Sequence, residues 1–110
     1  MGIVAYSNQA KSTLLKVPIS KIIKYGAVSK EVALSMVLNL DKLSKSKVCI
    51  STTGISGPLG DSRNKPIGLV YIGIKFNKQV FVVKKNFIGD RKKIQNETVN
   101  YILHTIKELI

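Results

Sequence analysis

The chain has 110 residues, of which 45% are hydrophobic, and a formal net charge of +12 at pH 7. This length predicts a single domain spanning 1–110, and the hydrophobic fraction is sufficient to form its core. Its apolar runs are far shorter than the ~20 residues of a membrane helix, and its start lacks the pattern of a signal peptide. We therefore predict a cytoplasmic protein without a membrane partner.

The positive charge is carried almost entirely by lysine, because Arg63 and Arg91 are the only arginines. Aromatic residues make up only 6% of the chain. Specific nucleic-acid recognition favours arginine for bidentate contacts and aromatic rings for base stacking. We expect a solvated lysine-rich surface and no specific nucleic-acid partner, with a basic binding module as the alternative.

The first predicted element is a strand over 3–6, where the sequence reads IVAY. A short helix over 7–15 follows, since Ser7 and Asn8 can both cap a helix. Val17-Pro18 interrupts the chain, and Pro18 is expected at the first position of another helical turn that ends near Gly26.

A longer helix is predicted from Ser29, a favourable N-cap with Glu31 in the first turn. Its apolar stripe has helical spacing and consists of Val32, Ala33, Met36, Val37, Leu40 and Leu43. A strand over 48–53 follows, and this helix-then-strand order is typical of α/β proteins. Cys49, the single cysteine, is expected to be a small buried hydrophobe in a reducing compartment.

A long loop then runs to the next β-rich segment. It carries five breakers, Gly54, Gly57, Pro58, Gly60 and Pro66, and exceeds twice the usual connection of about 4–6 residues. Glycine lets backbone N–H groups approach a ligand closely, and open α/β sheets bind ligands where strands such as 48–53 end. We interpret the segment as a binding loop, with a long surface turn as the alternative. Its glycine spacing fits neither phosphate-binding fingerprint.

Two β-rich runs over 68–76 and 79–87 are joined at Asn77-Lys78, which predicts a hairpin and hence a sheet that is not purely parallel. Asp90 is the predicted N-cap of a final helix. Its stripe consists of Ile94, Thr98, Val99, Ile102, Leu103, Ile106 and Leu109. His104 has no further ligand at metal-binding spacing and is expected to be a surface or packing residue, so no metal site is predicted.

Three side chains outside the loop are candidates for chemistry. Lys11 could act as a general base if burial lowered its pKa, and Tyr6 could donate a hydrogen bond nearby. Arg91 could hold a phosphate or a carboxamide, or it could pair with Asp90 or Glu97. From spacing alone the signal for chemistry is weak, because a tyrosine at a strand end and a lysine on a helix are common on ordinary protein surfaces.

Five segments in this order resemble the C-terminal domain of the CinA family, named for competence and DNA damage: GIVAYSNQAK, YGAVSKEVA, TTGISGP, KPIGLVYIG and FIGDR. The resemblance covers nearly the whole chain. It implies an α/β fold, with a mixed β-sheet flanked by helices in three α/β/α layers. It also implies a hydrolase of pyridine nucleotide salvage, similar to nicotinamide mononucleotide deamidase. In that family a serine attacks the carboxamide of nicotinamide mononucleotide, giving nicotinic acid mononucleotide and ammonia.

The resemblance assigns roles to five residues and implies no cofactor or metal. Lys11 matches the lysine that the family uses beside its serine, and Tyr6 matches the tyrosine of the VAYSN motif. Thr53 and Gly54 match the TG pair that lines the carboxamide pocket. Arg91 matches the arginine of the GDR motif and is expected to bind the substrate.

The chain departs from the family pattern at its start and in the loop. The nucleophilic serine and its ESCTGG segment would fall ahead of Met1, so we expect a domain without the first strand and helix, inactive alone. Leu59 replaces a glycine of the family loop, and Ser56 an alanine. Expected partners are a nicotinamide mononucleotide-like ligand and either further copies of this chain or a companion upstream fragment. The alternative is a non-catalytic remnant or a basic module associated with competence or DNA damage.

Overall fold

The computed structural model describes residues 16–45, 47–54 and 67–109. These contain three helices and three strands. In chain order the elements are α1 (Ile19–Tyr25), α2 (Lys30–Ser44), β1 (Val48–Gly54), β2 (Leu69–Phe76), β3 (Gln79–Asn86) and α3 (Arg91–Leu109). The predicted α/β class is confirmed, while the strand predicted over 3–6 and the helix predicted over 7–15 lie outside the described residues.

The described strands form one sheet in the order β1-β2-β3, with both pairs antiparallel. Gly54 pairs with Val70 at one end of β1, and Val48 pairs with Phe76 at the other. Asn77, with φ 55°, begins the two-residue connection between β2 and β3. The predicted hairpin is therefore confirmed.

Helices cover both faces of this sheet, which confirms the three-layer α/β/α arrangement. Successive side chains of a strand point to opposite faces. On one face α2 lies close to β1 and β2, since Ser51 Oγ donates to the carbonyl of Ala33 at 2.7 Å. On the other face Ile94 of α3 joins the cluster of Ile72 and Ile74 from β2.

Gly73 allows the close approach of α2. A Cβ at this position would lie 2.5 Å from Ser51 Oγ and 2.9 Å from the carbonyl oxygen of Ala33. A side chain here would have to push the helix away from the sheet. The close packing of α2 on the sheet therefore depends on Gly73 having no side chain.

The capping prediction for α2 is confirmed in atomic detail. Ser29 Oγ accepts a hydrogen bond from the backbone N–H of Val32 at 3.2 Å and donates to the carbonyl of Gly26 at 2.8 Å. The predicted stripe is buried except at Leu43, which is 49% exposed. In this last turn Ser44 faces the sheet instead, with its Oγ 3.5 Å from Cys49 Sγ.

The start of α1 differs by one position from the prediction. Pro18 is the N-cap rather than the first helical residue, and its carbonyl accepts from the N–H groups of Lys21 and Ile22 at 3.0 and 3.2 Å. The predicted end is confirmed, because Gly26, with φ 87°, is the C-cap.

The final helix is confirmed, but its predicted apolar stripe is too wide. Ile94 is buried, and Tyr101, Ile102 and Leu109 pack against the same cluster. Val99 and Leu103 are 53% and 61% exposed. A helix on the outside of a single sheet buries only the residues that face the strands, so apolar residues at the margin of the stripe remain in contact with solvent.

No described helix combines the length and hydropathy that a membrane span requires.

Removal of the Asp90 cap tests how much capping of α3 contributes to the stability of the domain. Asp90 Oδ1 accepts from the N–H of Lys93 at 2.8 Å, so Asp90→Ala should lower the free energy of unfolding by about 1 kcal/mol. Glu97→Ala removes the same charge from the same helix without removing a cap and should have a much smaller effect. Urea denaturation followed by circular dichroism measures both, and equal effects would show that charge, not capping, matters.

Candidate functional site

One end of the sheet brings together the predicted ligand-binding residues that the structure describes. β1 ends at Gly54 beside Val70, near the start of β2, and Leu69 pairs with Asn86 at the end of β3. The chain then turns into α3, which begins at Arg91. Thr53 and Gly54 therefore lie at the same end of the sheet as Arg91, although Arg91 follows Gly54 by 37 positions in the sequence.

Two helix N-termini lie at this end. Thr53 Oγ1 donates to the carbonyl of Ala27 at 2.8 Å, just ahead of α2. At the other end of α2, Asp41 contacts Lys75 and Ser44 contacts Cys49. The N-termini of α2 and α3 thus point to the end where β1 terminates. Helix N-termini carry partial positive charge, which favours an anion at this end of the molecule. One N–H group of each helix is already paired, with Ser29 in α2 and with Asp90 in α3.

Thr53 and Gly54 occupy different environments despite being neighbours. The Thr53 side chain lies on the α2 face of the sheet and is only 5% exposed. Gly54 is exposed at the strand terminus. A ligand approaching this end of the sheet would meet the backbone of the strand terminus before it met the threonine hydroxyl.

Arg91 is exposed at the first position of α3. The ion pairs among the described residues are Lys75 with Asp41 and His104 with Glu108. Pairing of Arg91 with Asp90 or Glu97, one of the two alternatives left by the sequence, is therefore not found in this part of the chain. The Asp90 carboxylate is instead used as the cap of α3.

The catalytic candidates Tyr6 and Lys11 lie outside the described residues, as does the central part of the glycine-rich loop, 55–66. Their roles stay predictions from the resemblance. Within the described part of the chain, no cluster of three or more His, Cys, Asp or Glu side chains could hold a metal ion. His104 is exposed and lies 2.9 Å from Glu108, so it is a surface residue, as expected.

A second polar cluster, which the sequence did not indicate, lies at the opposite end of α2. Lys75 Nζ is 2.6 Å from Asp41 Oδ1, and Cys49 Sγ lies 3.9 Å from the same carboxylate oxygen. Cys49 is buried, as predicted, but it contacts polar atoms. Asp41 and Lys75 are 34 residues apart, so no local pattern could have revealed their pairing. The cluster ties α2 to β1 and β2, which is a structural role.

The family relationship of the chain extends over its whole length. Residues 1–110 match the model of the CinA C-terminal domain. A relative from Thermoanaerobacter pseudethanolicus that bears the name competence-damage inducible protein is 44% identical over 110 residues, 100% of this chain and 27% of the relative. A CinA-like protein of Fusobacterium nucleatum is 46% identical over 109 residues, 99% of this chain and 26% of the relative. The chain thus spans about a quarter of the length of these curated relatives.

Solved structures agree with the fold. The CinA superfamily protein of Escherichia coli matches with a TM-score of 0.92 and 28% identity, over 97% of this chain and 62% of that one. A competence/damage inducible protein of Agrobacterium tumefaciens matches with a TM-score of 0.87 and 33% identity, over 94% of this chain and 64% of that one. The described layers therefore form the arrangement found in these larger chains.

Proposed function

Because the chain belongs to the CinA C-terminal domain family, we propose that it forms the substrate-binding part of a nicotinamide mononucleotide amidohydrolase. This activity hydrolyses the carboxamide of nicotinamide mononucleotide to nicotinic acid mononucleotide and ammonia. The observation that carries the proposal is that Thr53, Gly54 and Arg91 lie at one end of the sheet, where two helices also begin. Nicotinamide mononucleotide has an anionic phosphate and a carboxamide, and this end offers groups that suit both.

The phosphate is the part of the substrate that Arg91 suits best. An arginine presents several N–H donors in a planar fork, which binds phosphate oxygens in pairs and more strongly than neutral donors do. Arg91 is exposed, and the carboxylates nearest in sequence do not pair with it in the described structure. Its guanidinium would therefore attract the phosphate, whereas at the α3 N-terminus the N–H of Lys93 already donates to the Asp90 carboxylate.

Hydrolysis of the amide requires groups of a second kind. Attack on the carboxamide carbon creates an oxyanion, which backbone N–H donors at the Thr53–Gly54 strand end would stabilise. In this scheme Lys11 takes the proton of the attacking serine hydroxyl, and Tyr6 donates a hydrogen bond nearby. Lys11 gives this proton to the amide nitrogen as the C–N bond breaks, so that ammonia leaves and an acyl-serine ester remains. A water molecule then hydrolyses the ester, which releases nicotinic acid mononucleotide and restores the serine hydroxyl. The resemblance places that serine outside the 110 residues.

The division between binding and chemistry gives a direct test. The 110-residue chain should bind nicotinamide mononucleotide, measured by titration calorimetry, but release no ammonia, because Lys11 then has no nucleophile to activate. Adding an upstream fragment that carries the ESCTGG segment and the serine should restore ammonia release. Lys11→Ala should abolish the restored activity, whereas Lys16→Ala, at an exposed lysine, should not.

Ammonia release by the purified 110-residue chain, lost on Lys11→Ala, would contradict this division and show that another serine of the chain serves as nucleophile. Absence of binding by the unmodified chain would contradict the proposed function itself.

The basic-module alternative makes a different prediction. Described lysines lie at both ends of the sheet, Lys84 and Lys92 near the candidate site and Lys45, Lys47 and Lys78 at the opposite end. Such dispersed charge should bind duplex DNA without sequence preference at low salt and release it by about 150 mM salt. Fluorescence anisotropy across a salt series measures this. Tight binding to one sequence at the higher salt would favour the nucleic-acid module.

A further inference from the structure

The hydroxyl proton of Thr53 is already used within the protein. Thr53 Oγ1 donates to the carbonyl of Ala27 at 2.8 Å, across 26 residues of sequence, and the side chain is almost completely buried. A threonine hydroxyl has a single proton to donate. A hydrogen bond from this hydroxyl to a ligand would require the bond to Ala27 to break.

The same pattern occurs two residues earlier on the same face of β1. Ser51 Oγ donates to the carbonyl of Ala33 in the first turn of α2 at 2.7 Å. Ser29 in turn caps α2 and donates to the carbonyl of Gly26. The bonds from Ser51 and Thr53 therefore hold residues 26–33 against β1. Of these two bonds, the one from Thr53 lies nearer the candidate site.

We propose that Thr53 is a positioning residue, and that its hydroxyl fixes the end of β1 relative to the N-terminus of α2. This inference rests on the proposed function, in which Thr53 and Gly54 contact the ligand through their backbone. Binding groups must keep their relative positions closely, since a displacement of about 1 Å can cost roughly 100-fold in activity. Without the hydroxyl, the backbone N–H groups at the end of β1 and those at the N-terminus of α2 would lose their fixed separation.

Two substitutions separate the hydrogen bond from the shape of the side chain. Thr53→Val keeps the shape and removes the donor, while Thr53→Ser keeps the donor. Thr52→Val is the matched control, because Thr52 is an exposed neighbour on the opposite face of β1. The ligands are nicotinamide mononucleotide and ribose 5-phosphate, which lacks the carboxamide, and titration calorimetry measures both affinities. Hydrogen exchange at the amides of 26–33 reports on the segment itself.

We expect Thr53→Val to weaken both ligands by the same factor, on the order of tenfold or more, and to accelerate exchange over 26–33. Thr53→Ser and Thr52→Val should resemble the unmodified chain in both measurements. If Thr53→Val weakens only nicotinamide mononucleotide and leaves exchange unchanged, the hydroxyl contacts the carboxamide and the inference is wrong. Unchanged affinity and unchanged exchange would overturn it as well.

A measurement on the unmodified chain keeps the inference open to refutation if Thr53→Val does not fold. Addition of nicotinamide mononucleotide should shift the NMR signal of the Gly54 amide and leave the carbonyl signal of Ala27 in place. A large shift at the Ala27 carbonyl would show that the ligand takes over the hydroxyl.

If neither ligand binds, the proposed function fails. Exchange over 26–33 in Thr53→Val and Thr53→Ser then decides the positioning role by itself, and equal exchange in the two variants would overturn it.

Discussion

Replacing Gly68 by alanine should destabilise the domain more than any other single substitution considered above. Gly68 has φ 93°, and a Cβ there would overlap the carbonyl oxygen of Phe87. The carbonyl of Gly68 also accepts from the N–H of Phe87 at 2.9 Å. The two backbones therefore cannot separate without losing the hydrogen bond that extends the β2–β3 pair. We expect about 1–3 kcal/mol from backbone strain and a further ~1–3 kcal/mol from the overlap.

Gly89→Ala is the matched control for this substitution. Gly89 also has a positive φ, 134°, but the three atoms nearest to a Cβ there all belong to the side chain of Lys93, with Cδ the nearest at 2.6 Å. It carries the backbone strain without the overlap with another strand. Urea denaturation measures both variants, and a loss for Gly68→Ala no larger than that for Gly89→Ala would contradict the described packing.

Replacing Arg91 by alanine should weaken the binding of nicotinamide mononucleotide by about 1–3 kcal/mol, or roughly 5- to 150-fold in Kd. The physical reason is the loss of a charged, bidentate donor at the N-terminus of α3, where Arg91 is exposed. Stability should change little, since Arg91 contributes neither to the core nor to the cap. Titration calorimetry of the folded variant gives the loss directly.

Two controls test whether Arg91 acts by contact or by general charge. Lys92→Ala removes an adjacent exposed cation, and its smaller effect should disappear at higher salt, since screening weakens long-range attraction. Arg91→Lys keeps the charge but loses the fork, so we expect an intermediate affinity. Equal losses for Arg91→Ala and Lys92→Ala would place the phosphate elsewhere.

Local sequence signals were sufficient wherever one short segment contains both the cause and the effect. Ser29 and Asp90 cap the helices that follow them. Their caps were predictable because each side-chain oxygen accepts a hydrogen bond from an N–H only three residues further along the chain. Asn77-Lys78 connects the predicted hairpin for the same reason. The resemblance to the CinA family also depended on the sequence alone, since its five motifs are contiguous segments.

The helical stripes were only partly predictable. Periodicity identifies which residues of α3 share a side of the helix, and it correctly included Ile94, which is buried. It cannot state how wide a surface the neighbouring sheet covers. Val99 and Leu103 are exposed because the flat face of the sheet contacts only the centre of the stripe.

The sequence by itself determined the fold class, the caps of α2 and α3, the hairpin, the family and the identity of the candidate residues. Only the tertiary structure placed the end of β1 and the start of α2 at the same end of the sheet as the start of α3, and only it decided that the Thr53 hydroxyl is bonded to Ala27. The same holds for Lys75 and Asp41. These pairs are separated by 26 and 34 residues. Contacts of that range form when whole layers pack together, and the hydrophobic burial that drives packing is not specific to any one polar pair.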